Sequence, residues 1–162
     1  MHDVKALVAS VSVLAGVAAR FSSAALCPLV QGFALLPLTD SVAHEIAGAH
    51  TSPDPEQPLV ADMAPGVALL AKELSLAGPV AYISTEYFGG TGGQDAVVWD
   101  GARIALQLSD GEDDSIAWPN SPVSQALRTI GVRAAAGKDE FDTVGLGTHR
   151  STSGWAAAHA PD

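Results

Sequence analysis

The stretch Tyr82 to Leu108, YISTEYFGGTGGQDAVVWDGARIALQL, decides the fold class. It reads as strand, glycine-rich turn, strand, Asp-Gly turn, strand. Val80 to Phe88 is rich in the aromatic and β-branched residues that suit a pleated, half-buried surface. Gly89-Gly90-Thr91-Gly92-Gly93 then interrupts it. Glycines so concentrated give up much backbone entropy, which a chain accepts where φ must be positive or where another group approaches the backbone closely. Gln94 to Trp99 resumes the strand pattern, and Asp100-Gly101 is a tight-hairpin signal. Arg103 to Leu108 alternates, with Ile104, Leu106 and Leu108 expected on one face and Arg103, Ala105 and Gln107 on the other, one of them facing solvent. The three runs predict an antiparallel meander.

Elements on either side are shorter. Gly32 to Leu38 is an apolar run suited to a buried strand, and Thr39-Asp40-Ser41 offers N-caps for a helix over Val42 to Ala47. Thr51 to Pro58, TSPDPEQP, reads as a proline-rich loop and the stretch with the strongest disorder signal. Pro65 suits the first turn of a helix reaching about Leu76. Beyond the meander, Ser121 caps and Pro122 opens a helix with Val123, Ala126, Leu127 and Ile130 as its apolar stripe. Short helical turns are expected over Asp139 to Val144 and over Thr152 to Ala158. The fold class is α+β, an antiparallel sheet of three to five strands with helices packed on one face. Residues 28–160 form the single domain.

Residues 1–27 read differently. Val4, Leu7, Val8, Val11, Leu14, Ala18 and Phe21 fall at helical spacing, which suits an N-terminal packing helix. The run Ala6 to Ala19 also has the length of a signal-peptide apolar core, and a dispensable extension is a third reading. It is too short and too rich in Ala and Ser to span a bilayer.

With 8 basic and 18 acidic residues the formal net charge is −10. That argues against nucleic-acid binding, which needs phosphate neutralisation, and against an anionic membrane surface. It suits a basic partner, although acidity also serves plain solubility. Cys27 is the only cysteine, so no internal disulfide forms, and its apolar surroundings point to a buried, inert thiol.

Few constellations suggest chemistry. The glycine loop leads into a strand rather than a helix, lacks a following Lys-Ser or Lys-Thr, and is flanked by Glu86 and Asp95, so it is no phosphate loop. His44-Glu45 with His50 misses the zinc-helix spacing, since Gly48 stands where the second histidine belongs. Asp110-Gly111-Glu112-Asp113-Asp114 lacks calcium-loop spacing and reads as a solvated turn, and Trp118 beyond it is a candidate interface anchor. No metal or cofactor is expected. Lys138 to Arg150, KDEFDTVGLGTHR, gathers Asp142, His149 and Arg150. A histidine beside a carboxylate can do acid-base work, while the simpler expectation is an Arg150 ion pair holding the C-terminal segment to the domain.

Taken together, Tyr87-Phe88-Gly89-Gly90 with Gly92 and Gln94, Ala126-Leu127-Arg128 with Gly131-Val132, and Asp139-Glu140-Phe141-Asp142 with Gly145-Leu146-Gly147 and His149-Arg150 resemble a group of small bacterial proteins of no known activity. The resemblance covers roughly residues 30 to 156 and implies a cytoplasmic bacterial protein, with no catalytic residues to carry over. The expected function is non-enzymatic protein binding of the toxin-immunity kind, through Glu86, Tyr87, Phe88, Gly89, Gly90 and Gln94, with a basic protein as partner. The alternative is a small-ligand protein or enzyme whose site joins that loop to Asp142, His149 and Arg150. It requires the two segments to meet in space.

Overall fold

A computed structural model describes residues 1–58, 60, 62–88, 91–110 and 120–159. Its strands are β1 (His2–Ser10), β2 (Cys27–Pro28), β3 (Phe33–Pro37), β4 (Val80–Phe88), β5 (Thr91–Asp100) and β6 (Arg103–Asp110). They form one antiparallel sheet in the order β2-β3-β1-β4-β5-β6. The helices are α1 (Val11–Leu14), α2 (Val17–Arg20), α3 (Asp40–Ala49), α4 (Val67–Leu74), α5 (Pro122–Thr129), α6 (Glu140–Thr143) and α7 (Thr152–Ala158). The α+β class and the β4-β5-β6 meander match the sequence reading, and the sheet is wider than expected by the strands of the N-terminal part.

The N-terminal run is the main correction. Residues 2–10 are a strand, not a helix, and that strand lies in the middle of the sheet between β3 and β4. Ala6, Leu7, Val8 and Ala9 are all buried, alternately against the two faces. A strand covered on both sides has no apolar-polar alternation, so its period is invisible, and the helical spacing was a coincidence of continuous apolarity. Ser10 ends the strand, and its hydroxyl accepts the Val13 N–H to start α1.

Helices cover both faces of the sheet rather than one. Leu7, Leu36, Tyr82, Val97 and Trp99 pack against Leu14, Val42, Ile46, Leu70 and Ala71 from α1, α3 and α4. Val4, Val8, Leu35, Ile83, Ala96 and Val98 pack against Val123, Ala126, Leu127, Leu146 and Trp155 from α5, α7 and the segment between. The continuous burial of Val80 to Thr85 in β4 has the same cause as that of β1.

Two details of the meander also differ. Asp100 pairs with Arg103, so the two turn residues are Gly101 and Ala102, with φ of 59° and 67°. Opposite Val98 and Trp99, β6 carries an extra residue, Ala105. This bulge breaks the expected alternation: Ile104 packs toward the Trp99 side, and Leu106 packs toward the Val98 side. In the proline-rich loop, the Asp54 side chain is buried and its Oδ1 receives Lys72 Nζ at 2.6 Å, which ties the loop to α4.

Candidate functional site

Both regions singled out in the sequence lie at one end of the sheet, and β1 joins them. His2 pairs with Tyr87 and Asp3 with Glu86 on the β4 side. On the other side, β3 begins to pair only at Ala6. The C-terminal segment fills that vacant edge: the Asp3 N–H donates to the Arg150 carbonyl at 2.7 Å, and the Lys5 N–H donates to Thr152 Oγ1 at 2.9 Å. His2 spans the two regions. Its Nδ1 lies 2.6 Å from Thr85 Oγ1, its Nε2 lies 3.0 Å from the Leu146 carbonyl oxygen, and its ring tilts against Phe141 at 5.5 Å.

The hairpin is paired to its last described residues, from Val80 opposite Trp99 to Phe88 opposite Thr91. Glu86 and Phe88, two residues apart, share one face and are exposed, Phe88 to 48%. Asp3, opposite Glu86, and Asp95, opposite Ser84, lie on the same face. Three carboxylates and an aromatic ring thus share one surface with Lys5, which pairs with Ser84. Gly92 has φ of 142°, and a β-carbon there would overlap the Glu86 carbonyl, so this glycine is required by close backbone approach. Gly89 and Gly90 lie outside the described residues, as do residues 111–119, with most of the acidic turn and Trp118.

The other expected site residues divide. Tyr87 is half-buried on the opposite face; burial and then the neighbouring Asp110 carboxylate push its phenol up, and a hydrogen bond with Gln94 pulls it down. Gln94 is buried, and its Oε1 accepts the Val123 N–H at 3.0 Å, so it anchors α5 instead of facing a partner. Asp142 is exposed on α6, where its N–H donates to the Asp139 cap. His149 stands edge-on to Trp155 at 4.7 Å, and among the described residues no carboxylate comes within ion-pair distance of it. The segment is held by the Arg150 backbone carbonyl, and the ion pair in this region is Arg128 with the buried Glu140. Leu146 is buried in the core on this face, and Phe141 packs against it.

Sequence reasoning missed His2, Asp3, Lys5, Thr85 and Thr152. All depend on β1 being a strand, and the one local signal was the polar, charged start His2-Asp3-Val4-Lys5, which alternates before the apolar run begins.

Cys27 is fully buried, its thiol pushed up to about 11 by burial, and its Sγ lies 3.5 Å from the Trp155 carbonyl. Among the described residues, no group of three or more His, Cys, Asp or Glu side chains is placed to hold a metal ion, and no helix is long and apolar enough to cross a membrane. No protein-family model, curated protein or solved structure gives a significant match to this chain.

Proposed function

We propose that the protein is a non-enzymatic binding domain that recognises a basic protein through the β4-β5 hairpin, in the manner of a toxin-immunity protein. One observation carries this reading: Asp3, Glu86, Asp95 and Phe88 share one face of a fully paired hairpin and its neighbouring strand. A rigid platform spends little ordering entropy on binding. An exposed aromatic ring supplies an anchor, and surrounding carboxylates supply steering toward a positive surface. The net charge of −10 acts in the same direction over longer range. A cytoplasmic, bacterial setting belongs to the same proposal and rests on the motif resemblance.

The test is affinity capture from host lysate with wild type and a Glu86→Lys/Phe88→Ala variant, followed by purification of the captured protein and titration at two salt concentrations. One basic protein, bound directly by wild type, lost by the folded variant and weakened by salt, is the expected result. Absence of any protein that distinguishes the two would sink the reading. A second reading, small-ligand binding, gains support from the meeting of the Glu86 and Arg150 segments on the two sides of Asp3.

A further inference from the structure

A cleft of about 270 Å³ opens where the start of β1 meets the first residues of α3 and α7. Its charged lining is Asp3, Lys5 and Asp40, with Thr39, Thr152 and Ser153 beside them. The threonine hydroxyls are already committed: Thr39 Oγ1 accepts the Val42 N–H, and Thr152 Oγ1 accepts the Lys5 N–H. The three charged side chains are not. Among the described residues, neither Lys5 Nζ nor the carboxylates of Asp3 and Asp40 make a hydrogen bond or an ion pair.

Lys5 is the unusual member. It projects from a central strand and is partly buried. The other partly buried lysine, Lys72, is matched by Asp54 at 2.6 Å. An ammonium partly withdrawn from water without a counter-charge is favoured by a nearby negative group, so the unmatched Lys5 beside this cleft offers a contact to an anionic group. Asp3, partly buried, and Asp40, exposed at the rim, offer the same cleft two carboxylates for a cationic group.

We propose that this cleft binds a small zwitterion, an ammonium and a carboxylate joined by a short carbon chain, of the size of a free amino acid or a dipeptide. A purely anionic ligand would face Asp3 and Asp40, and a purely cationic one would face Lys5. A ligand carrying both signs satisfies all three. Leu38 is the one large apolar side chain in the lining, so a ligand with a small side chain fits better than an aromatic one. The cleft lies toward the β3 side of β1 and shares Asp3 with the hairpin face, but its ligand is a small molecule and not the protein partner proposed above.

The experiment is a two-dimensional amide NMR titration of the full chain with each free proteinogenic amino acid and glycylglycine. Each is taken to ~10 mM, about ten times the Kd of a millimolar site. Acetate and methylammonium supply the two charges separately. At least one zwitterion should shift the Asp3, Lys5 and Thr152 amides saturably, while acetate and methylammonium do not. Lys5→Met and Asp40→Asn should each weaken that binding by roughly tenfold, about 1.4 kcal/mol. Asp40 is exposed and Thr39 is the cap of α3, so Asp40→Asn keeps the fold even if Lys5→Met does not. No saturable shift at these amides with any zwitterion overturns the proposal, as do equal shifts with acetate or methylammonium, or unchanged affinity in the folded Asp40→Asn variant.

Discussion

His2 Nε2 lies 3.0 Å from the Leu146 carbonyl oxygen, and this contact joins the first strand to the segment that follows α6. The carbonyl can only accept, so Nε2 carries a proton, and in the neutral ring Nδ1 accepts from the Thr85 hydroxyl at 2.6 Å. The Thr85 oxygen in turn accepts the Val4 N–H at 3.1 Å. Thr85 is 1% exposed, so water does not replace it. Thr85→Val keeps the shape but leaves the His2 Nδ1 without its hydroxyl partner and removes the hydroxyl contact of the Val4 N–H. The expected loss is roughly 1–3 kcal/mol, read as a lower urea midpoint with an unchanged slope. Thr85→Ser, which keeps the hydroxyl, should lose much less. A midpoint that Thr85→Val leaves in place would refute the relay.

Arg128 and Glu140 clamp α5 to α6. The Arg128 Nε lies 2.9 Å from Glu140 Oε1 and its Nη2 lies 3.2 Å from Oε2, a two-point geometry suited to a guanidinium and a carboxylate. The Glu140 side chain is only 4% exposed, whereas Arg128 is about half exposed. Removing the cation therefore leaves a buried carboxylate, while removing both leaves none. Arg128→Met should destabilise by roughly 1–3 kcal/mol, below the range for a fully buried pair because water still reaches the site. The double variant Arg128→Met/Glu140→Met should recover most of that loss in chemical denaturation. Equal losses in the single and double variants would mean that packing, not charge, joins the two helices.

Capped helices and the aromatic, β-branched strand β4 were readable from sequence, β4 even though it is covered on both faces, and the Ala- and Ser-rich β1 was not. The capped helices α3, α5 and α7 begin at Thr39, Ser121 and Ser151, hydroxyl residues whose side chains accept the expected backbone N–H groups. Strand β4 begins and ends where its composition places it, at Val80 and Phe88. Strand β1 failed because burial of Ala6 to Ala9 on both faces erases alternation. With β1 misread, His2, Asp3 and Lys5 had no place in the fold, and the meeting point of the hairpin and C-terminal segments was not visible. Gln94 was misjudged for a different reason: its place at the strand's start beside the glycine loop suggested a group open to a partner, but pairing with Thr85 and Asp110 carries it into the sheet, where it meets α5.

The hairpin turn between β5 and β6 holds a removable strain. Ala102 sits at φ 67° beside Gly101 at 59°, the doubly left-handed geometry of a type I′ turn. The backbone N–H groups of both are fixed by Ser75, through its carbonyl at 3.0 Å and its hydroxyl at 2.8 Å. An alanine in this region costs about 1–2 kcal/mol that glycine avoids, less the extra freedom glycine gives the unfolded chain. Ala102→Gly should raise stability by up to ~1 kcal/mol, a rise in Tm of about 2–4 °C for a domain of this size. A lower Tm would mean that the unfolded-chain term dominates.

Cys27 sets an alkaline limit on the fold. Burial pushes its thiol from 9.0 in the open chain to about 11 in the folded one, and burial first of all raises Tyr82 from 10.0 to about 12. In both cases the folded state holds its proton more tightly than the unfolded state. Between the two values the unfolded chain has released a proton that the folded chain keeps, so the unfolding free energy declines as pH rises. For Cys27 the decline begins near 9.0 and is complete above about 11. Stability is unaffected by this group below that window. Urea midpoints measured at about pH 8 and about pH 10 should therefore differ, and Cys27→Ala should shrink the difference while lowering both midpoints through the lost packing. The same burial predicts that a thiol reagent labels the native protein only at the rate of opening, and labels it at once in denaturant. Fast labelling of the native chain at neutral pH would show that Cys27 is accessible and would remove the basis for the alkaline limit.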